Sequence, residues 1–207
     1  MQKIMFNDKY GLTQAVLEGR KTMTRRIIDA PSNTIYMKPV LDLCGNIIKV
    51  YALDPDGREL GVFVPRYKVG EVVAVAQSYK DAGYHPSYII DEFHPNIENE
   101  AGWTNKMFTK PELLPNRIRF TGLRVERLQD ISDEDCLREG IYKDPAHGGV
   151  PDLYAFETCR DQHGYVLAKQ WYTYPRKAFA TLIDKISGRG TWCGNPWDFA
   201  YEFELVK

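Results

Sequence analysis

The sequence predicts an α+β domain, mostly strand, with short helices on its flanks and long insertions. Three patterns carry that expectation. The closing segment alternates, with Trp197, Phe199, Tyr201, Phe203 and Leu205 on one face and Asp198, Ala200, Glu202 and Glu204 on the other. Arg117 to Leu128 alternates in the same way, with Gly122 placed as a bulge that swaps the buried face. Two short periodic runs stop at Gly19 and Gly140, as helices stop at a residue tolerant of positive φ.

In order along the chain, Lys3 to Phe6 reads as a short strand, with Asn7 or Asp8 as a cap for the helix that follows. That helix, Thr13 to Leu17, carries a stripe of Leu12, Ala15, Val16 and Gly19. Thr22, Thr24, Ile27 and Ile28 then favour extended backbone, because β-branched side chains are stiff at χ1. Asn46–Leu53 and Leu60–Val64 flank Asp54-Pro55-Asp56-Gly57 and predict an inserted β-hairpin. Lys68 to Glu71 is a turn, and Val72 to Ala76 is a buried strand. Tyr79 to Asn116 is too aromatic for disorder and is expected as an ordered lid. Ser132 caps a helix, with Asp135 three positions on and Ile131 against Cys136 as a staple. Asp152 to Arg160 is expected to be helical, and Pro175 to open a helix striped by Phe179, Leu182, Ile183 and Ile186. One domain spanning 1–207 results, with insertions at about 29–66, 79–116 and 142–175.

Composition narrows the class of function. A formal net charge of −1 excludes a globally basic nucleic-acid coat, so a polyanion site has to be a local patch. Cys44, Cys136, Cys159 and Cys193 lie far apart, which fits reduced thiols better than a zinc ribbon or a disulfide scaffold. His85 and His94 lack metal-ligand spacing, and neither a metal nor a cofactor is expected. With no secretory signal and no apolar run of membrane-spanning length, the chain is expected in the cytoplasm and away from membranes.

The basic segment Gly19-Arg20-Lys21-Thr22-Met23-Thr24-Arg25-Arg26 concentrates the chemistry, with four cations and two hydroxyls in seven positions. Together with Val69-Gly70-Glu71-Val72-Val73, the run Val125 to Ile141 and the closing Asn195-Pro196-Trp197, it resembles the ASCH family, most closely its phage and prophage members. The matching blocks cover about half of the chain. The resemblance implies a PUA-like β-barrel associated with RNA binding, and in one bacterial branch an amidohydrolase acting on N4-acylated cytidine. That branch carries Lys-x-x-Thr in the basic segment and Glu at the end of the later helix, matched here by Lys21, Thr24 and Glu139.

Two classes of function follow. In the first, a basic cleft binds RNA or a modified nucleoside, with Arg20, Arg25 and Arg26 neutralising phosphates and Trp192 stacking a base. In the second, Lys21 is the base, Thr24 the nucleophile and Glu139 the proton relay of an amide hydrolase. A phage accessory module that binds other proteins is a third reading. The three catalytic candidates are expected within hydrogen-bonding reach in a solvent-open barrel mouth, where they add little to stability. On an ideal strand Lys21 and Thr24 point to opposite faces, so their convergence needs a break at Thr22-Met23.

Overall fold

The structure, a computed structural model, describes residues 1–83, 101–144, 151–156, 158–160, 162–163 and 166–206. Its elements in order are β1 (Lys3–Ile4), α1 (Leu12–Leu17), β2 (Met23–Ile27), β3 (Tyr36–Leu41), β4 (Ile47–Leu53), β5 (Glu59–Phe63), β6 (Val72–Val75) and β7 (Arg117–Arg127). There follow α2 (Asp133–Arg138), β8 (Tyr142–Asp144), β9 (Leu153–Ala155), β10 (Thr158–Arg160), β11 (Val166–Ala168), α3 (Pro175–Ser187), α4 (Thr191–Gly194) and β12 (Trp197–Val206).

Alternation built the two long strands, and they form the spine of a five-stranded sheet ordered β1-β6-β7-β12-β2. Only the β1–β6 pair is parallel. Along β7 and β12 the register shifts once: Glu202 faces Gly122 and Phe203 faces Phe120, leaving Thr121 as the extra residue. The bulge moves Ile118 and Phe120 onto the face of Leu123 and Val125, so one apolar face runs the whole length of a strand whose sequence parity changes midway. Phe199, Tyr201 and Phe203 share that face, and Tyr67 stacks on Phe120 with ring centroids 4.6 Å apart.

The inserted hairpin is present as β4 and β5, and β3 pairs with it to make a separate three-stranded sheet. Met37, Val50 and Ala52 of this sheet enter the same apolar core as Val73, Phe120 and Tyr201. Two small hairpin sheets, β8–β9 and β10–β11, lie between α2 and α3.

Several expectations are corrected. The five-stranded sheet is not a closed barrel: β1 and β2 are its free edges. The Arg26 guanidinium, donating to Met5 O at 3.2 Å, reaches from one edge to the chain leaving the other. β1 has two residues and is too short to continue the ladder. The segment expected to be helical from Asp152 forms β9 and β10 instead, because Leu153 to Ala155 pair with β8 and tertiary pairing overrides the local helical spacing. Asn7 makes no cap bond, and α1 starts from Gly11 at φ 68°. Of the expected lid, 84–100 lie outside the described residues, with His85 and His94 among them.

The cap marked at Ser132 is present. The Asp135 N–H donates to Ser132 Oγ at 3.0 Å, and Ile131 and Cys136 are both buried beside it. Gly140 ends α2 with φ 103°, and a Cβ there would meet Leu12 Cδ2 at 3.3 Å and Lys21 Cβ at 3.5 Å. This glycine is where α2 is pressed onto α1 and onto the basic segment. Gly140→Ala is expected to lower stability by about 1–3 kcal/mol through backbone strain, measured by urea denaturation; unaltered stability would show that the contact tolerates a side chain.

Candidate functional site

The basic segment leaves α1 through Gly19 at φ 72°, and its backbone is spent on other elements before β2 begins. Lys21 N–H donates to Ala15 O at 2.9 Å, and Thr22 N–H to Arg138 O at 2.8 Å. The second of these satisfies a carbonyl that α2 leaves open at its C-terminus. Because β2 starts only at Met23, Lys21 is freed from strand alternation, and this break precedes the position at which the sequence required one.

The Lys21 ammonium is buried, with its side chain 2% exposed. It donates to Met23 O at 2.7 Å, to Glu139 O at 2.8 Å and to Glu139 Oε2 at 2.6 Å, which uses all three of its protons. Burial lowers its pKa from the usual 10.5 against the pull of Glu139, and the nearby Arg26 and Arg25 charges push the same way as burial. Glu139 caps the C-terminal end of α2, where the helix dipole disfavours a carboxylate. Two cations offset that penalty, since Arg25 Nη1 donates to Glu139 Oε1 at 3.3 Å.

Arg25 is itself enclosed. Its guanidinium meets Glu126 of β7 in a short ion pair, Asp198 of β12 at 3.5 Å and Asp135 of α2 at 3.8 Å, with the Phe179 ring of α3 5.9 Å away. Asp198 sits two register positions from the Arg25–Ala200 pair, on the same face, and is fully buried, with neither carboxyl oxygen hydrogen-bonded. Burial pushes its pKa up to about 8 against the opposing Arg25, with Glu126 and Glu139 adding to the rise. At neutral pH Asp198 therefore holds its proton, and Glu126 and Glu139 balance the Arg25 charge.

These groups open on a cleft of about 340 Å³ at the unpaired edge of β2. An edge strand lends both faces to such a cleft: Thr24, paired with Tyr201, lines it from one face and Arg25, paired with Ala200, from the other. Phe6, Leu12, Phe179, Leu182 and Ile183 supply apolar walls. Thr24 is buried and shares the cleft with Lys21 and Glu139, and no group among the described residues takes up its hydroxyl. The expected convergence thus unites Lys21 and Glu139 by direct bonds and adds Thr24 through the shared cleft alone. The three residues are also more buried than the solvent-open mouth that the sequence predicts.

The expected phosphate ligands fare differently. Arg25 faces carboxylates inside the protein and offers nothing to a backbone phosphate. Arg20 is drawn to Glu18 at 2.7 Å, and Arg26 lines the cleft while bonded to Met5 O. Trp192 packs edge-on to Phe179 at 6.1 Å between rings, and its backbone N–H is held by Asp184, so it pins α4 to α3. Among the described residues no cluster of His, Cys, Asp and Glu is placed to hold a metal ion.

No family model, curated protein or solved structure matches this chain. The likeness to the ASCH family rests on the sequence blocks themselves.

The Asp198 proton gives a pH-dependent test. The native state keeps a proton on Asp198 that the unfolded chain releases near its ordinary pKa of 3.8, so native stability falls as pH rises from about 4 to about 8. Asp198→Asn removes this contribution. Urea unfolding is expected to show the variant gaining stability relative to wild type between pH 5 and 8, and a constant difference across that range would place the proton elsewhere.

Proposed function

We propose that the cleft binds a nucleobase or nucleoside and hydrolyses an amide on it, with N4-acylated cytidine as the substrate class. The observation that carries this reading is the buried, bonded Lys21–Glu139 pair facing a mostly apolar cleft that also holds the Thr24 hydroxyl. Sites with few polar groups converging in an apolar pocket, one of them with a displaced pKa, are where small-molecule chemistry concentrates. The substrate class and a PUA-like identity for the open sheet come from the family likeness. Burial of Arg25 and the pairing of Arg20 weigh against a polynucleotide groove and in favour of a small ligand.

In the proposed reaction Lys21 passes a proton to Glu139 and becomes a free amine, a step favoured by its burial. The amine takes the Thr24 proton as Oγ1 bonds to the acyl carbon. The carbon–nitrogen bond to the exocyclic amine then breaks, and the departing nitrogen receives that proton from Lys21. Water next attacks the Thr24 ester with Lys21 again accepting the proton. As the bond between Thr24 Oγ1 and the acyl carbon breaks, Lys21 gives that proton to Oγ1, so the carboxylic acid leaves and the hydroxyl is restored. Catalytic hydrogen bonds are often long before substrate is present, so the absence of a direct Thr24–Lys21 bond is compatible with these roles.

Incubation with N4-acetylcytidine, followed by chromatography, is expected to yield cytidine and acetate. Lys21→Met and Thr24→Ala should each lower kcat by about 10²–10⁴-fold. For wild type, kcat/KM should rise with pH through a pKa below 10.5, because the free amine is the active form and burial depresses its pKa. A wild-type protein inert toward every N4-acylcytidine would remove the hydrolase and leave a base-binding cleft.

Arg25 is expected to matter for the fold as well as for the site. Removing one partner of a buried ion cluster leaves uncompensated charge, so Arg25→Gln should cost about 3–5 kcal/mol in chemical denaturation. A loss below about 1 kcal/mol, the range of exposed pairs, would show that the carboxylates do not depend on it.

A further inference from the structure

The cleft has a direction. Its polar groups Lys21, Thr24 and Glu139 are 2%, 4% and 5% exposed, and the apolar lining residues Phe6, Leu12, Phe179, Leu182 and Ile183 are buried beside them. Three further lining residues, Met5, Ile27 and Ile186, are 41%, 38% and 39% exposed and so mark the opening. Single exposed aliphatic residues are ordinary on a protein surface, but three drawn from the chain after β1, the end of β2 and the last turn of α3 converge on one opening here. Phe179, Leu182, Ile183 and Ile186 form one apolar stripe of α3 that lines the cleft from its buried part to its exposed rim. Asn7, Arg26 and Ser187 are the polar groups beside it, and Arg26 is already bonded to Met5 O.

A polar group placed against Met5, Ile27 and Ile186 loses water without gaining a hydrogen-bond partner from those three side chains. A ligand that leaves a hydrocarbon chain there buries apolar surface on the walls and covers the rim. We infer that the cleft is built for a straight-chain acyl group longer than acetyl, its carbonyl at Thr24 and Lys21 and its chain running along Phe179, Leu182 and Ile183 to Met5, Ile27 and Ile186. The catalytic use of that subsite rests on the hydrolase reading. The subsite itself is a property of the cleft and is measurable without turnover.

Two series test it. In the first, calorimetry measures binding of acetate, butyrate, hexanoate and octanoate to the intact protein. Affinity is expected to tighten by about fourfold per added methylene, the value of one buried CH₂. Ile186→Asn and Ile27→Ser, both at exposed positions, should flatten this gradient to less than about twofold per methylene, since their side chains no longer cover the hydrocarbon. In the second, kcat/KM is compared for N4-acetyl, N4-butyryl and N4-hexanoyl cytidine, with the hexanoyl-to-acetyl ratio expected to rise in wild type and to collapse in the two variants. Equal affinities across the carboxylates, or a gradient unchanged in both variants, would overturn the acyl subsite even if acetylcytidine is hydrolysed. A steep carboxylate gradient that the variants abolish, in a protein that cleaves no acylcytidine, would keep the subsite and overturn the hydrolase.

Discussion

A guanidinium with only 1% of its side chain exposed has to be met by acidic groups, and Arg25 draws carboxyl side chains from three elements. Glu126 comes from β7, Asp198 from β12, and Asp135 and Glu139 from α2 and its end. Each arrives because a register or a cap puts it there. The antiparallel pairing fixes Asp198 and Glu126 opposite one another, beside β2, and the Ser132 cap fixes where α2 begins and so where it ends. Buried ion clusters of this kind stabilise little on balance, because desolvation offsets most of the attraction. Their larger effect here is positional: Glu139 has one oxygen on Arg25 and the other on Lys21, and so has little freedom to turn.

The same arrangement explains why a carboxylate stands where the helix dipole opposes it. Lys21 donates to both the side chain and the carbonyl of Glu139, while Thr22 N–H covers the carbonyl of Arg138. The basic segment thus closes the end of α2, and Gly140 allows the close approach. An open sheet contributes as well. With β1 and β2 unpaired at its edges, the cleft forms beside β2, and residues from both of that strand's faces reach it.

Much of this was legible in the sequence, for physical reasons that differ from place to place. Alternation identified β7 and β12, and Gly122 marked the bulge that keeps their apolar face continuous. The spacing of Ser132 and Asp135 gave the cap, and Gly19 and Gly140 gave the ends of α1 and α2. Lys21 and Glu139 were paired through the family likeness, since they lie 118 positions apart and no local rule joins them. A basic run reads as solvated until its neighbours are known, and so the sequence alone casts Arg25 as a phosphate ligand. Asp198 is hidden in the sequence for a related reason. Alternation assigned it to the polar face of the last strand, but Arg25, held on that face, reaches α2 through Asp135 and Glu139 and Phe179 of α3. The apolar stripe of α3 was visible, whereas its use as the wall of a cleft depends on where the helix packs. The segment from Asp152 to Arg160 shows the reverse failure, a helical spacing of Leu153 and Phe156 that strand pairing with Tyr142–Asp144 overrode.

A buried pair of lysine and glutamate lining a cleft is useful for chemistry only if the lysine can give up its proton. Lys21 is held by three acceptors as the ammonium, and burial works against that charged form. The most direct measurement is an NMR titration of the Lys21 side chain, followed at Cε in protein labelled on lysine and assigned by the signal lost in Lys21→Arg. A midpoint clearly below the ordinary 10.5 is the expected result. A midpoint at or above that value would mean that Glu139 holds the charge in place, and that Lys21 serves as a buried strut with no part in proton transfer.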